Sequence, residues 1–474
     1  MFTFHLLLAS QLPPAEDELY YWCWSRELQL SYYDHPPLCA YLVRLSTSVL
    51  GDTLVGIRFF ACLGAVVVLG VVAQLADRRM LGWLVASPVF LFGSILLTPD
   101  TPLLVFWSLY ALWLVQINRR LEDDAGQAWG WWLMGGLLLG LGLLGKYTMA
   151  LAVPCAALTF ARPGLWRRAV PGLTLHLASA GVLTLPVLIF NYQLDFVPIR
   201  FQWAHASAND KPAPWYGVFE YLAVQGALVG LLPLAVWVWA IRHTPRLWAE
   251  VRLRVCWCLF VVPYAFFLYK ACGKRLEANW PLACYLTCWP LALAMLDSMR
   301  SLAWRRALVV GGFAPAAAVS VALVAHAIMP LGVSPRHDRL TRLHAQYQLV
   351  QQAAADIQSG GVEPIYALTL QWTSYLRFAG VRAEQLPLGT RPSHFTVGRP
   401  TQTAEVIYVF ADCPLPACYR PVYGEPQILA EYPLLVRGQL LTKYYLSRYQ
   451  RVGPGVEPTL TPQSHAAHSI FSAR

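Results

Sequence analysis

Three consecutive carboxylates, Glu16, Asp17 and Glu18, stand ahead of Leu19-Tyr20-Tyr21-Trp22, and a fourth, Asp34, opens Asp34-His35-Pro36-Pro37-Leu38. A carboxylate at a fixed position can take a proton from an attacking hydroxyl. It can also stabilise positive charge that develops as a bond to carbon breaks. Acids also favour helix N-termini, and Glu16 is read as such a cap for the helix carrying Tyr20, Tyr21 and Trp22. The two prolines after His35 fix the backbone and end any preceding helix. His35 offers a phosphate a cation when protonated, or one hydrogen bond when neutral. Spacing alone leaves Asp34 and His35 open between a rigid site and a stiff turn with solvated tips.

Cations of the kind that stabilise an anionic leaving group recur further on: Arg58, Lys146, and Lys274 with Arg275. Lys146 lies in Leu143-Leu144-Gly145-Lys146-Tyr147-Thr148 with no acid close in sequence. An unpaired lysine at membrane level is read as functional by default, against the alternative of snorkelling to the interface. Lys274 and Arg275 read equally as interface anchors or phosphate ligands. Asp100 follows Pro99, and Glu277 and Asn279 lie in Glu277-Ala278-Asn279-Trp280-Pro281. Asn191, Gln202 and His205 are further pocket candidates, of which Asn191 and His205 have an ordinary reading as loop and cap residues.

The elements that must position these groups are membrane helices. Of 474 residues, 57% are hydrophobic and 13% charged, against roughly 25% charged in an ordinary soluble protein. Apolar runs at 54–76, 80–97, 102–117, 129–145, 147–161, 169–190, 216–241, 255–272, 280–296 and 307–329, with an N-terminal run from Phe2 to Leu12, predict about eleven membrane helices. The first run is shorter than the roughly 20 residues a span needs, and lacks the basic start and cleavage site of a signal peptide.

Alternate loops carry Arg78 and Arg79; Arg119 and Arg120; Arg162, Arg167 and Arg168; Arg242, Arg246, Arg252 and Arg254; and Arg300, Arg305 and Arg306. The positive-inside rule puts these in the cytoplasm and the chemical motifs on the other side. That accounts for the net charge of +10 without nucleic acid, for which no separate basic and aromatic block exists. Most of the 11 cysteines sit in apolar runs as small hydrophobes, and no pair of CxxC motifs suggests zinc. Cys413 and Cys418 flank Pro414-Leu415-Pro416 in a polar segment, where a local disulfide and two free thiols are both open. After Met329 the chain turns polar and mixes helical stretches with β-branched and aromatic runs such as Ile365-Tyr366-Ala367-Leu368. The predicted organisation is a membrane domain at 1–329, with an external loop at 13–53, and a soluble α/β domain at 330–474 outside the cytoplasm.

Taken in order, Asp17-Glu18 with Tyr20-Tyr21-Trp22, Asp34-His35-Pro36-Pro37-Leu38, Arg58, Pro99-Asp100, Lys146-Tyr147-Thr148 and Glu277-Ala278-Asn279-Trp280-Pro281 resemble the superfamily of dolichyl-phosphate-mannose protein mannosyltransferases and lipid A aminoarabinose transferases. These are integral-membrane glycosyltransferases of the GT-C type. The resemblance implies an inverting transfer of a sugar from an undecaprenyl-phosphate carrier to a lipid A, glycolipid or protein acceptor on the periplasmic side of a bacterial inner membrane. It implies Asp17 as the catalytic carboxylate. Glu18, Asp34, His35, Arg58, Asp100, Lys146, Lys274, Arg275, Glu277 and Asn279 are then substrate-binding candidates. No cofactor is expected, and Glu277, Asp100 and Asp34 could hold a cation only if the fold gathers them. His35 stands where aminoarabinose transferases usually show lysine, which sets this chain apart from that substrate. The alternatives are a transporter or flippase of lipid-linked sugars, which would need no external catalytic acid, and a membrane scaffold whose tail binds a partner.

Overall fold

Hydropathy registers composition but not where a helix breaks, and the breaks decide this fold. The computed structural model describes residues 2–124, 129–207, 214–273, 276–329, 331–387, 391–397, 404–419 and 421–453. Five of its helices are long and apolar enough to cross a membrane: Leu54–Leu75, Asp100–Glu122, Leu165–Gln193, Val251–Ala271 and Leu302–Ala327. A sixth candidate is the bent pair Trp215–Val229 and Leu232–Arg242, which turns by 110°. Among the described residues five or six candidate spans thus stand where the apolar runs predict about eleven membrane helices, and the other runs form shorter helices.

The causes are local. In the 80–97 run, Ser87 caps a new helix with Pro88 in its first turn, so Leu81–Ala86 and Pro88–Gly93 are separate pieces. The 280–296 run splits into Leu282–Tyr285 and Cys288–Ser298. The 110° turn is made at Gly230, whose φ of +84° only glycine adopts at little cost. A Cβ there would lie 2.1 Å from the Gly312 carbonyl oxygen, which instead accepts a hydrogen bond from the Leu231 N–H.

The chain divides into two compact units. The first, Met1–Ser10, His35–Ile189 and Ser207–Ala325, holds the membrane helices. Its interior is aromatic and aliphatic, with Trp107, Trp113, Trp132 and Trp289 buried. Glycine permits the tightest contact: a Cβ on Gly136 of the Trp129–Gly145 helix would lie 1.9 Å from Ser179 Oγ. Such small-residue approach is how helices gain van der Waals contact where lipid removes the hydrophobic drive. By contrast, the most apolar windows of Leu165–Gln193 and Leu302–Ala327 are only 17% buried, as lipid-facing helices should be.

The second unit is Gln11–Asp34, Phe190–Ala206 and His326–Arg474. It contains a five-stranded mixed sheet of order β2-β1-β3-β5-β4, made of β1 (Ile365–Ala367), β2 (Ala383–Gln385), β3 (Val406–Ala411), β4 (Gln427–Val436) and β5 (Gln439–Gln450). β1 pairs parallel with β2 and β3, while β5 pairs antiparallel with β3 and β4. Arg437 and Gly438, at φ of 50° and 77°, make the two-residue turn that right-twisted hairpins favour. The helices Arg339–Gly360 and Leu370–Phe378 complete the α/β arrangement. Cys413 and Cys418 are free and exposed.

Candidate functional site

In the second unit the helix Glu16–Arg26 carries all three acids in its first turn, and they separate by role. Glu18 is buried and accepts a hydrogen bond from the Ala15 N–H at 3.0 Å, the reciprocal half of a capping box. The cap is thus supplied by Glu18, where sequence reasoning gave that part to Glu16. Asp17 is exposed, and among the described residues it makes no hydrogen bond. Desolvation by nearby protein pushes the Asp17 carboxyl above its ordinary value, Glu16 and Asp34 add to the rise, and Arg391 and Arg339 oppose it.

One turn along the same helix, the Tyr20 hydroxyl donates to Asp34 Oδ2 at 2.7 Å and accepts from the His394 N–H at 2.8 Å. Asp34 Oδ1 accepts from Arg391 Nη1 at 2.6 Å, and Gln202 Nε2 donates to the Asp34 carbonyl at 2.7 Å. Burial and the Asp34 charge hold the Tyr20 phenol well above its usual range. For Arg391, burial favours loss of the proton, but Asp34, Tyr20 and Asp17 outweigh it and hold the guanidinium above its usual value. The helix itself is pinned by the Tyr375 hydroxyl on the Pro14 carbonyl at 3.1 Å, by Arg377 on Glu27 at 3.0 Å, and by Trp22 edge-on to Phe378. Asp17 therefore projects from an anchored element, as a reacting group requires.

In the first unit a second group forms at the start of the Asp100–Glu122 helix. Lys146 Nζ donates to Asp100 Oδ1 at 2.7 Å, and Asn279 Nδ2 donates to Asp100 Oδ2 at 2.6 Å. Lys146 and Asp100 are both buried. The expectation of an unpaired Lys146 is overturned, because its acid lies 46 positions earlier in the chain. Asn279 is aimed by its own turn: Gln225 Nε2 donates to the Ala278 carbonyl at 3.1 Å, and the Tyr285 hydroxyl donates to Gln225 Oε1 at 3.0 Å. Glu277 in the same turn is exposed.

Of the other candidates, Arg58 is fully buried in the Leu54–Leu75 helix and donates to the Ala9 carbonyl at 2.6 Å. His35 precedes Pro36 and the helix Leu38–Leu50. Lys274 and Arg275 lie outside the described residues, as does the side chain of His205. Asn191 takes the cap reading, its Oδ1 accepting from the Ile199 N–H at 3.2 Å. Among the described residues no group of three or more His, Cys, Asp or Glu is placed to hold a metal ion. Arg391 was missed by sequence reasoning, and Tyr20 was noted only as part of a motif. Arg391 sits in an unremarkable polar stretch, and its partner Asp34 is 357 positions away, so no local signal marks it.

Residues 34–190 match the family model described as dolichyl-phosphate-mannose-protein mannosyltransferase. The chain is 27% identical over 312 residues, 63% of its length and 64% of the relative's, to the lipid A galacturonosyltransferase RgtD of Rhizobium johnstonii. It is 28% identical over 306 residues, 58% of its length and 51% of the relative's, to the undecaprenyl phosphate-alpha-4-amino-4-deoxy-L-arabinose arabinosyl transferase of Erwinia tasmaniensis. The alignments thus span just under two thirds and about half of those curated relatives. The fold is that of ArnT from Cupriavidus metallidurans, with TM-scores of 0.60 in the apo state and 0.59 in the structure bound to undecaprenyl phosphate. Identities are 14% and 13%, and each match covers 94% of this chain and 96% of the other. The matched family model over residues 34–190, these relatives and the shared fold make this integral membrane protein similar to the dolichyl-phosphate-mannose-protein mannosyltransferases and to the lipid A glycosyltransferases related to them.

Proposed function

We propose that the protein transfers a sugar from a polyprenyl phosphate, undecaprenyl phosphate in a bacterial inner membrane, to lipid A. The observation that carries this reading is Asp17, an exposed carboxylate with no hydrogen bond among the described residues, on a helix anchored by its neighbours. Stability alone does not account for an exposed carboxylate on an anchored helix that makes no hydrogen bond among the described residues and whose carboxyl pKa desolvation raises. The names of the two relatives, both lipid-linked sugar or lipid A transferases, support the donor and acceptor classes.

In the reaction the acceptor oxygen bonds to the anomeric carbon as the bond from that carbon to the phosphate oxygen breaks, with inversion. The electron pair leaves on the carrier phosphate, for which Lys146 is the assigned cation, with Asp100 and Asn279 fixing its position. A hydroxyl acceptor must lose a proton, and Asp17 takes it. A lipid A phosphate is already anionic, and Asp17 then stabilises the positive charge developing on the sugar. The arginine-bearing loops are assigned to the cytoplasm, and Asp17 with the 330–474 domain to the periplasm.

The test of donor and acceptor is reconstitution in liposomes with a panel of undecaprenyl-phosphate sugars and a membrane extract, followed by mass spectrometry. Sugar-modified lipid A is the expected product. A modified protein or a different glycolipid would replace the acceptor assignment. Labelled lipid crossing the bilayer with no donor consumed would replace the transferase with a flippase.

A further inference from the structure

The guanidinium of Arg391 is held in place on one side and open on the other. Nη1 donates both to Asp34 Oδ1 at 2.6 Å and to the Pro392 carbonyl at 3.3 Å. The group lies over the Phe201 ring, 5.9 Å from its centroid. Asp34 is itself fixed by the Tyr20 hydroxyl and by Gln202, so neither the carboxylate nor the arginine it holds can swing freely. Among the described residues Nε and Nη2 donate to nothing, although the side chain is 38% exposed. That leaves three N–H donors, including the Nε–Nη2 edge whose parallel donors match the two oxygens of a carboxylate or phosphate.

Asp34 alone does not require an arginine with this free edge. One Nη1 contact neutralises the carboxylate, and a lysine could supply it. The ring beneath, the fixed partner and the open edge together describe a cation prepared for a second anion. That anion cannot be Asp17, with which Arg391 makes no hydrogen bond.

We propose that Arg391 is an anion-recognition residue of this enzyme, its Nε–Nη2 edge taking an oxyanion of the substrate as a bidentate pair. The inference rests on the transferase reading above. Three sources present that chemistry: a carboxylate on the donor sugar, the phosphate of the carrier, and a phosphate of the acceptor lipid.

Equilibrium binding to full-length protein in nanodiscs separates them without requiring turnover. The probes are undecaprenyl phosphate, undecaprenyl phosphate carrying a uronic acid or the corresponding neutral hexose, and lipid A with and without its phosphates. The variants are Arg391→Gln and Arg391→Lys, the latter keeping the charge but losing the fork. A sugar carboxylate is the ligand if wild type prefers the uronate to the hexose and Arg391→Gln removes that preference by tenfold or more. An acceptor phosphate is the ligand if the same loss appears between phosphorylated and dephosphorylated lipid A. The carrier phosphate is the ligand if undecaprenyl phosphate itself binds tenfold more weakly. In each case Arg391→Lys recovers only part of the loss. Arg391→Gln affinities within twofold of wild type for every probe, at an unchanged melting temperature, overturn the proposal. So does a variant that melts earlier yet keeps every ratio, since that is an arginine serving only to hold Asp34. Failure of wild type to turn over any donor defeats the transferase reading instead, and leaves these binding ratios to decide on Arg391.

Discussion

The two ends of the Asp100–Glu122 helix carry clusters of similar composition and opposite design. The helix has 23 residues, or about 34 Å at 1.5 Å per residue, enough to reach from one side of a bilayer core to the other. At its C-terminal end Arg254 is fully buried and donates to Glu122 at 2.7 Å, to Asn118 at 3.2 Å, and to the carbonyls of Thr159 and Trp248 at 3.1 and 3.2 Å. Nearly every N–H of that guanidinium is engaged. At the N-terminal end Lys146, among the described residues, engages one of its three N–H donors, on Asp100. A buried cation with its donors filled is a clasp, and one with donors to spare is equipped for a ligand. Burial and pairing alone do not separate the two cases, but the count of open donors does.

The largest effect expected falls outside both clusters. Asp17→Asn is expected to lower transfer to a hydroxyl acceptor by about 10²–10⁴-fold, read as product formed per minute. Its effect on an already anionic phosphate acceptor is expected to be smaller. The variant's stability should not fall. The folded-state pKa of Asp17 is raised, so the folded protein holds that proton more tightly, and stability from this group declines as pH rises through the carboxylate range. Asparagine removes that cost, so the melting temperature at pH 7 should be equal or higher.

Next is the clasp. Arg254→Met leaves Glu122 with Arg162 at 2.7 Å but strips a donor from Asn118 and from the carbonyls of Thr159 and Trp248, and each buried acceptor left unsatisfied costs about 1–3 kcal/mol. Thermal unfolding in detergent should show a large drop, while the KM of whatever fraction remains folded stays near wild type. A variant as stable as wild type would contradict the clasp.

Lys146 sharpens the contrast. Lys146→Met alone removes the partner of a buried acid and should lose both stability and turnover. Pairing it with Asp100→Asn restores neutrality, and the melting temperature should recover most of its loss while turnover stays at least tenfold down. Recovery of turnover along with stability would make Lys146 a second clasp.

The smallest effect is a pH shift. If Asp17 is the base for a hydroxyl acceptor, turnover needs it ionised, so activity should rise with pH through a midpoint above the ordinary aspartate value. Arg391 opposes that elevation, so Arg391→Gln should move the midpoint higher. A midpoint at or below the ordinary aspartate value in wild type would contradict the raised carboxyl.

The sequence marks residues that carry chemistry more readily than it marks their partners. Asp100, Lys146 and Asn279 each stand out by type and context, and the structure brings the three onto one carboxylate. Nothing local announces that, because the contacts close loops of 46 and 179 residues. The strand at Ile365 shows in its β-branched and aromatic run. The breaks at Ser87-Pro88 and Gly230 do not show, since an apolar run reads the same whether its helix continues or turns. Arg391 is the extreme case: one arginine among many, defined only by an open edge that appears once Asp34 and Phe201 are in place.

The most direct measurement is donor consumption by wild type and Asp17→Asn in the same liposomes, with undecaprenyl-phosphate sugars and a hydroxyl-bearing acceptor. The account predicts that wild type consumes one donor and forms a glycosylated product, and that Asp17→Asn folds with an unchanged or higher melting temperature yet forms at least a hundredfold less. Equal turnover by the two proteins would contradict it, and would leave Asp17 as an exposed helix acid with no part in the chemistry.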